Sequence, residues 1–517
     1  MLGSIVVILT ALGLPIGESN AGGDVANALA LLRQLPKTRK TRLVTFEMKE
    51  QKWWITELVI GEDELIPPTP QVLSQMTGLE SLKLTVPPPN TKAVQGLQQL
   101  IGLKHLRRLS VPSFASACGI ENLMKSMPNL EEIEINYGLA DGEPQMFPSL
   151  MEIPKLRRLD LEHTGLRDNH LAFIKALHRL EVLNLRQNPW LTDRVMAELK
   201  GLTNLRDLRL GGTRISEASI PLLREMRQLE SLDVGWDLGH GDPEAATVID
   251  LSGLRRLKTI ELGVTSLCGR NMPAVLLPKS LIEIKLYVHV TEGIRVPEWM
   301  QRPRYVNLGL YLTPDRSMGA LDALEPLRNL SELTLAFPGK INVPITPLIG
   351  IRSLRGLSFQ GICEMIGVDD FKRVAQIRQL DTLEIQADHG VGVLRSLTGL
   401  HRLRIFIGQA TTEELGFLRN LKQLRSLDIP VCKTIIPIDS VLDYLRGMEK
   451  LEELTIGETK LTDAGLKKLV GLKKLRSLDL RYASGYSDEG LGFLMRESKS
   501  LQVISRSYEP EEGCPAK

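Results

Sequence analysis

Apolar residues recur along the chain in one short pattern, L-x-x-L-x-L, and the polar residues between them recur with it. At Leu451, Leu454 and Ile456, with Glu453 and Thr455 in between, the spacing is the period of two of a strand with one buried face. Small polar residues then turn the chain. Thr462 and Asp463 precede a helically spaced run, Leu466, Leu469, Val470 and Leu472, and can cap the free N–H groups of a helix start. A near copy begins at Leu475. One strand and one helix in about 24 residues cannot bury their own apolar side, so each copy predicts a neighbour.

The strand signature starts at Leu79, Leu106, Leu130, Leu156, Leu180, Leu205, Leu229, Leu257, Leu281, Tyr305, Leu330, Leu354, Leu380, Leu400, Leu424, Leu451, Leu475 and Leu501. Neighbouring starts differ by about 20 to 28 residues. From about Ile55 to Ser505 the chain therefore resembles the leucine-rich-repeat proteins. The T-D-x-G-L helix start is matched or approximated at Leu166-Arg167-Asp168, Leu191-Thr192-Asp193, Ile215-Ser216-Glu217, Thr411-Thr412-Glu413, Leu461-Thr462-Asp463 and Tyr486-Ser487-Asp488. It resembles the helix-bearing subtype of bacterial, planctomycete-like proteins and of F-box-type adaptors. The adaptors' regular cysteine and an F-box-like pattern are missing, so the adaptor function is not carried over. The resemblance implies an α/β fold, a single leucine-rich-repeat solenoid (horseshoe) of about 18 or 19 repeats. Parallel strands would line the concave face and helices or 3-10 turns the convex face.

Around this array the expected organisation is an apolar N-terminal segment (1–21), an N-terminal cap (22–60), the solenoid (61–505) and an acidic tail (506–517). Leu2 to Ile16 carries no charge and Ser19-Asn20-Ala21 resembles a small-x-small cleavage site, which reads as a signal peptide and predicts export; a buried capping segment or an anchor is the alternative. The run is shorter than the roughly 20 residues of a spanning helix, and no membrane span is expected in the repeat body. The stretch from about Leu238 to Leu348 carries extra Pro and Gly, so helices there are expected to shrink to extended or 3-10 turns.

Composition changes this picture little. Hydrophobic content of 43% and charged content of 24% suit a folded soluble body, and 4% aromatics make the core aliphatic. A formal net charge of +2 gives no reason to expect nucleic acid. Five cysteines, scattered and without a C-x-x-C pair, predict neither a disulfide framework nor a zinc site. There is no P-loop, G-x-S-x-G or H-E-x-x-H motif, and Gly390-Val391-Gly392 is half a dinucleotide fingerprint. No catalytic residue, metal ligand or cofactor is expected. Asn329-Leu330-Ser331 fits the glycosylation pattern but enters a strand. Thr164, Asn188, Thr213 and Thr459 sit where a side chain must satisfy backbone groups in the turn after each strand.

The informative surface is the strand face, where the non-leucine positions point outward. Aligning the signatures puts Glu134, Asp160, Asn184, Arg209, Asp233, Glu261, Lys285, Gly309, Thr334, Ser358 and Glu384 in one column, followed by Asp428, Thr455 and Asp479. The next column holds Gly211, Gly235 and Gly263, then Tyr287 and Tyr311 side by side, with Trp236 one position further on. This predicts a small-residue floor beside an aromatic ridge, Tyr287–Tyr311, flanked by Lys285 and Glu261, with Arg209, Asp233 and Trp236 on the same surface. The expected function is a non-enzymatic module that binds a protein or peptide there. An intracellular substrate receptor of the ubiquitin-ligase-adaptor type, hence a cytoplasmic protein, is the alternative.

Overall fold

The computed structural model describes residues 42–49, 52–61, 79–85, 103–112, 126–136, 147–235, 248–264, 274–290, 296–312, 321–337, 344–361, 367–387, 389–408, 410–430, 438–481 and 483–508. The chain divides into two compact units, one of residues 1–205, 479–482 and 502–517, the other of residues 206–478 and 483–501. The cysteines, Trp236 and the apolar N-terminal segment lie outside the described residues.

The strands are, in chain order, β1 (Arg42–Lys49), β2 (Lys52–Gly61), β3 (Ser81–Thr85), β4 (Arg108–Pro112), β5 (Glu132–Asn136), β6 (Arg158–Asp160), β7 (Val182–Asn184), β8 (Asp207–Arg209), β9 (Ser231–Val234), β10 (Val248–Asp250), β11 (Thr259–Val264) and β12 (Ala274–Leu276). They continue with β13 (Glu283–Val290), β14 (Tyr305–Leu312), β15 (Leu330–Phe337), β16 (Gly356–Gly361), β17 (Thr382–Ala387), β18 (Arg402–Ile407), β19 (Ser426–Ile429), β20 (Glu453–Ile456), β21 (Thr459–Lys460), β22 (Ser477–Leu480), β23 (Ala483–Ser484) and β24 (Val503–Tyr508).

One coil of the first unit shows how the sequence makes the fold. Leu156, Leu159 and Leu161 point inward from the strand, Leu166 from the turn, and Leu171, Ile174 and Leu177 from the 3-10 segments that return the chain; all are buried. The next coil repeats this with Leu180, Leu183, Leu185, Leu191, Val195, Met196 and Leu199. Stacking coil on coil turns these into continuous aliphatic rows, which is why a single coil would not be stable alone. The backbone follows: the N–H groups of Glu181 and Val182 both donate to the Arg157 carbonyl, at 2.7 and 3.0 Å. In this unit β2 through β7 run parallel, each in register with the next.

The N-terminal strands β1 and β2 form an antiparallel hairpin, and β2 continues into the parallel ladder through β3. β1 has a second partner as well: its other edge pairs antiparallel with β24, Thr45 opposite Ser505. β24 runs on through Arg506 and Ser507 to Tyr508, residues the sequence reading assigned to the tail.

The second unit is a parallel series of the same kind from β8 to β20. Its middle is irregular where the Pro and Gly insertions predict it. The return segments there are 3-10 turns, Glu298–Gln301, Asp322–Leu324 and Thr346–Gly350, and a parallel pair β10–β12. Farther on they become α-helices, Asp463–Leu469 and Asp488–Glu497. The strands change in the opposite sense: β13, β14 and β15 have eight residues each, against three in β8. Each unit is an α/β solenoid with strands on one side and helices or 3-10 turns on the other.

Candidate functional site

The turns that leave β6, β7 and β8 are held by the polar ladder. Asn188 is fully buried. Its amide donates to the carbonyls of Leu161, Leu185 and Arg186 at 2.8, 3.0 and 3.1 Å, and its Oδ1 accepts from the N–H groups of Thr164 and Leu166 at 3.2 and 3.0 Å. The Thr164 and Thr213 hydroxyls each donate to the strand carbonyl three residues back, at 2.7 Å. A residue of this kind at the same point of stacked leucine coils defines the repeat. The chain is a leucine-rich-repeat protein.

No family profile matches the chain. Among curated proteins, Tsukushi of Gallus gallus is 30% identical over 128 residues, 24% of this chain and 34% of its own length. The chain thus spans about a third of that relative. Among solved structures, an internalin (inlF) of Listeria monocytogenes is 18% identical with a TM-score of 0.28, covering 74% of this chain and 87% of that one. A leucine-rich-repeat protein of Leptospira interrogans is 17% identical with a TM-score of 0.32, covering 84% and 97%. A complex of TLR13 with ssRNA13 is 15% identical with a TM-score of 0.37, covering 83% and 75%.

The repeat's outward positions form the candidate surface, and its register departs from the simple alignment. Arg209, Asp233, Glu261 and Lys285 do lie opposite one another on β8, β9, β11 and β13. Lys285 then faces Asn307 rather than Gly309, and Tyr287 faces Gly309 rather than Tyr311. Tyr311 faces His289 on one side and Ala336 on the other. The two tyrosines are therefore diagonal neighbours, which still brings long side chains within reach. The cause is in the coil of β14. Pro303, Val306 and Leu308 are its inward residues beside β13, so the signature starts at Pro303 and Tyr305 is an exposed outward residue. The spacing P-x-x-V-x-L was the signal for it. β15 takes up the offset through an irregularity after Val306.

Tyr287, Tyr305 and Tyr311 are 54%, 40% and 39% exposed, and Ile282 beside them is also exposed. A Cβ on Gly309 would lie 2.7 Å from Tyr287 Cδ1, so the ring leans across β14 into the space that glycine leaves. The Arg304 guanidinium sits 5.2 Å from the centre of the Tyr305 ring. Next to the rings a polar relay crosses the strands. Thr259 donates to Glu283 at 3.4 Å, Asn307 donates to Glu283 at 2.5 Å, and Ser331 donates to Asn307 Oδ1 at 3.2 Å.

The expected floor of small residues is partly filled. A Cβ on Gly211 would meet the buried Asp233 carboxylate at 2.9 Å, and one on Gly235 would meet the Gly212 nitrogen at 2.7 Å. These glycines admit Asp233 and close strand packing. Arg209 is held by Asp207 at 2.8 Å.

Other charges on the strand face are joined in chains. Ser358 donates to Glu384 at 2.8 Å, and Arg404 bridges Glu384 at 3.5 Å and Asp428 at 3.0 Å. Between coils, Arg107 pairs with Glu131 at 2.8 Å, and this hydrogen bond holds the Glu131 carboxyl below its ordinary range. Lys258 does the same for Glu230 at 2.5 Å. Asn329 of the glycosylation pattern is committed to the fold, its amide donating to the carbonyls of Met300 and Pro303 at 2.9 and 2.8 Å. Gly390 opens a 3-10 segment with φ of 82°, and its N–H donates to Glu414 at 2.6 Å.

Proposed function

We propose that this chain is a non-enzymatic interaction module that binds a protein or peptide on the exposed face of its strands, and that it is exported. The observation that carries the reading is the group Tyr287, Tyr305 and Tyr311 standing outward on β13 and β14. Tyrosine offers large, rigid contact area at low entropic cost, and such residues dominate interface energetics. The strands beneath them are fixed by buried Ile284, Leu286, Val288, Val306, Leu308 and Leu310, so the rings ride on a rigid support. Glu283, Glu384 and Asp428 of the face are engaged in ion pairs and relays, an arrangement suited to recognition rather than proton transfer.

Affinity capture with the full chain, compared between wild type and the Tyr287→Ala/Tyr311→Ala double variant, tests the binding face. The partner should be lost from the variant while its melting temperature stays within about 2 °C of wild type. Capture of the same partner by both proteins overturns the assignment. N-terminal sequencing of protein recovered from its natural host tests export, which requires a start after the apolar segment; an intact Met1 contradicts it.

A further inference from the structure

In each unit the residue after the first leucine of the strand signature stands at the edge where the return segment meets the strand, and acid answers base there from coil to coil. Arg107 pairs with Glu131 at 2.8 Å, Arg157 with Glu181 at 3.1 Å, and Lys258 with Glu230 at 2.5 Å. Farther on, His401 meets Asp381 at 3.3 Å and Arg425 meets Glu452 at 3.5 Å. Between these stretches the alternation fails. The same position is Ile282, Arg304, Ser331 and Arg355 in four successive coils, with no acid among them. Ile282 stands 43% exposed where a carboxylate would answer its neighbours, and Ser331 is turned to Asn307 at 3.2 Å.

The turns just before these strands add bases to the same edge. Lys279, Arg302, Arg328 and Arg352 are exposed there, and among the described residues no carboxylate pairs with them or with Arg304 or Arg355. The turns are fixed on one another. Ser280 donates to the Leu257 carbonyl at 2.8 Å, and Asn329 to those of Met300 and Pro303 at 2.9 and 2.8 Å, which sets the Arg328 turn against the segment from Arg302 to Arg304. Arg304 is stacked on Tyr305 at 5.2 Å, and Arg355 Nη1 donates to the carbonyls of Arg352 and Leu354 at 2.8 and 3.1 Å. Both guanidiniums are thus positioned without being neutralised. The acids of these coils stand elsewhere: Glu283 and Glu332 on the strand face, and Glu298, Asp322 and Glu325 in the return segments.

Unneutralised guanidiniums around an exposed aliphatic side chain fit an anionic chain that also carries apolar residues, because the guanidinium fork matches a carboxylate. We infer that this edge takes an acidic segment of a protein partner, with carboxylates on Arg304, Arg328 and Arg355 and an apolar side chain on Ile282. This rests on the reading that the strand face around the tyrosines binds a protein or peptide, and it adds the charge class of the segment that enters beside Tyr305. A nucleic acid fits less well. The Tyr305 ring is already stacked with Arg304 rather than open to a base, and Glu283 and Glu332 repel a phosphate chain running onto the face.

The test is fluorescence anisotropy of the full chain with a labelled octapeptide of glutamate and serine around a central leucine. Its glutamine-for-glutamate and serine-for-leucine versions, and an oligothymidylate, serve as competitors. The glutamate–leucine peptide should bind, weaken markedly as salt is raised past about 0.15 M, and outcompete the other three. Arg304→Gln/Arg355→Gln should weaken it about two- to tenfold. Arg107→Gln/Arg157→Gln, an equal loss of charge where each arginine has its acid, should leave binding unchanged, and Ile282→Ser should erase the advantage of the leucine. Equal weakening in both double variants, equal binding of the glutamine version, or a tighter oligothymidylate overturns the inference. No binding of the glutamate peptide, with a captured partner still lost in Tyr287→Ala/Tyr311→Ala, strikes the acidic class and leaves the binding face standing. An arginine-dependent peptide beside a partner indifferent to the tyrosines keeps the edge and strikes the face.

Discussion

His163, Gln187 and Gly212 stand one residue before Thr164, Asn188 and Thr213 and share left-handed backbone, with φ of 56°, 56° and 74°. The turns after β6, β7 and β8 take that conformation, and only the third meets it with glycine. An L side chain in this region costs roughly 1–2 kcal/mol. Gln187→Gly should therefore stabilise its unit by about 1 kcal/mol, read as a shift of the denaturant midpoint with an unchanged slope. Asn188→Ala should act oppositely, leaving buried N–H and C=O groups unpaired at a cost of about 3 kcal/mol or more. The polar ladder was legible because a buried turn has to find donors and acceptors somewhere. The left-handed residues were not, because nothing in a His or Gln announces positive φ.

At the scale of elements, the T-D-x-G-L start does more than cap its own helix. Thr462 accepts from the N–H groups of Ala464 and Gly465, and Ser487 from that of Gly490 at 3.0 Å, as capping predicts. The aspartate, however, serves the following coil: Asp463 accepts from Ser487 N–H and Oγ, both at 2.7 Å, as Asp168 accepts from Thr192 at 2.8 and 2.6 Å. The glycine makes room for it. A Cβ on Gly490 would lie 2.0 Å from Asp463 Oδ1, and one on Gly465 would lie 2.2 Å from Asp439 Oδ1. Gly490→Ala should thus destabilise wild type, whereas in an Asp463→Ala background it should be neutral or stabilise by up to about 1 kcal/mol through helix propensity. A double-mutant cycle in urea checks this reversal of sign. Sequence reasoning found the cap because a cap is local. It missed the clasp because the clasp joins residues 24 apart. The two-residue offset at β14 escaped for a similar reason: Pro303 replaces the expected leucine, and register is decided by the neighbouring strand.

For the molecule as a whole, each unit's stability is spread over many coil-to-coil contacts, and two features concentrate it. In the first unit β1 is hydrogen-bonded along both edges, with Thr45 Oγ1 donating to Glu57 at 3.2 Å and meeting Ser505 Oγ at 3.3 Å. Thr45→Pro removes a backbone donor there, and hydrogen exchange should quicken in both β2 and β24 while β5 to β7 keep their protection. In the second unit, burial pushes the Glu414 carboxyl up, but the N–H groups of Gly390 and Thr411 and the ring of His389 outweigh it, so its pKa lies below the ordinary range. A lowered folded-state pKa gives stability that is present above the unfolded value, about 4.3, and lost as pH falls through the folded one. Glu414→Gln should flatten that part of the stability–pH curve below about pH 4.3 and lower stability at neutral pH.

The architecture was legible because a leucine at every third and second position, repeated down the chain, has one efficient way to be buried. The candidate surface was half legible: Tyr287 and Tyr311 are outward as their column requires, yet their mutual placement depended on the offset at β14. That surface is the claim on which the functional account stands. Covalent tyrosine labelling, read by mass spectrometry on the free chain and on its complex with a captured partner, tests it most directly. Tyr287, Tyr305 and Tyr311 should label readily in the free chain and be protected in the complex; full labelling of all three in the complex, with protection confined to the helix and 3-10 side, would contradict the account.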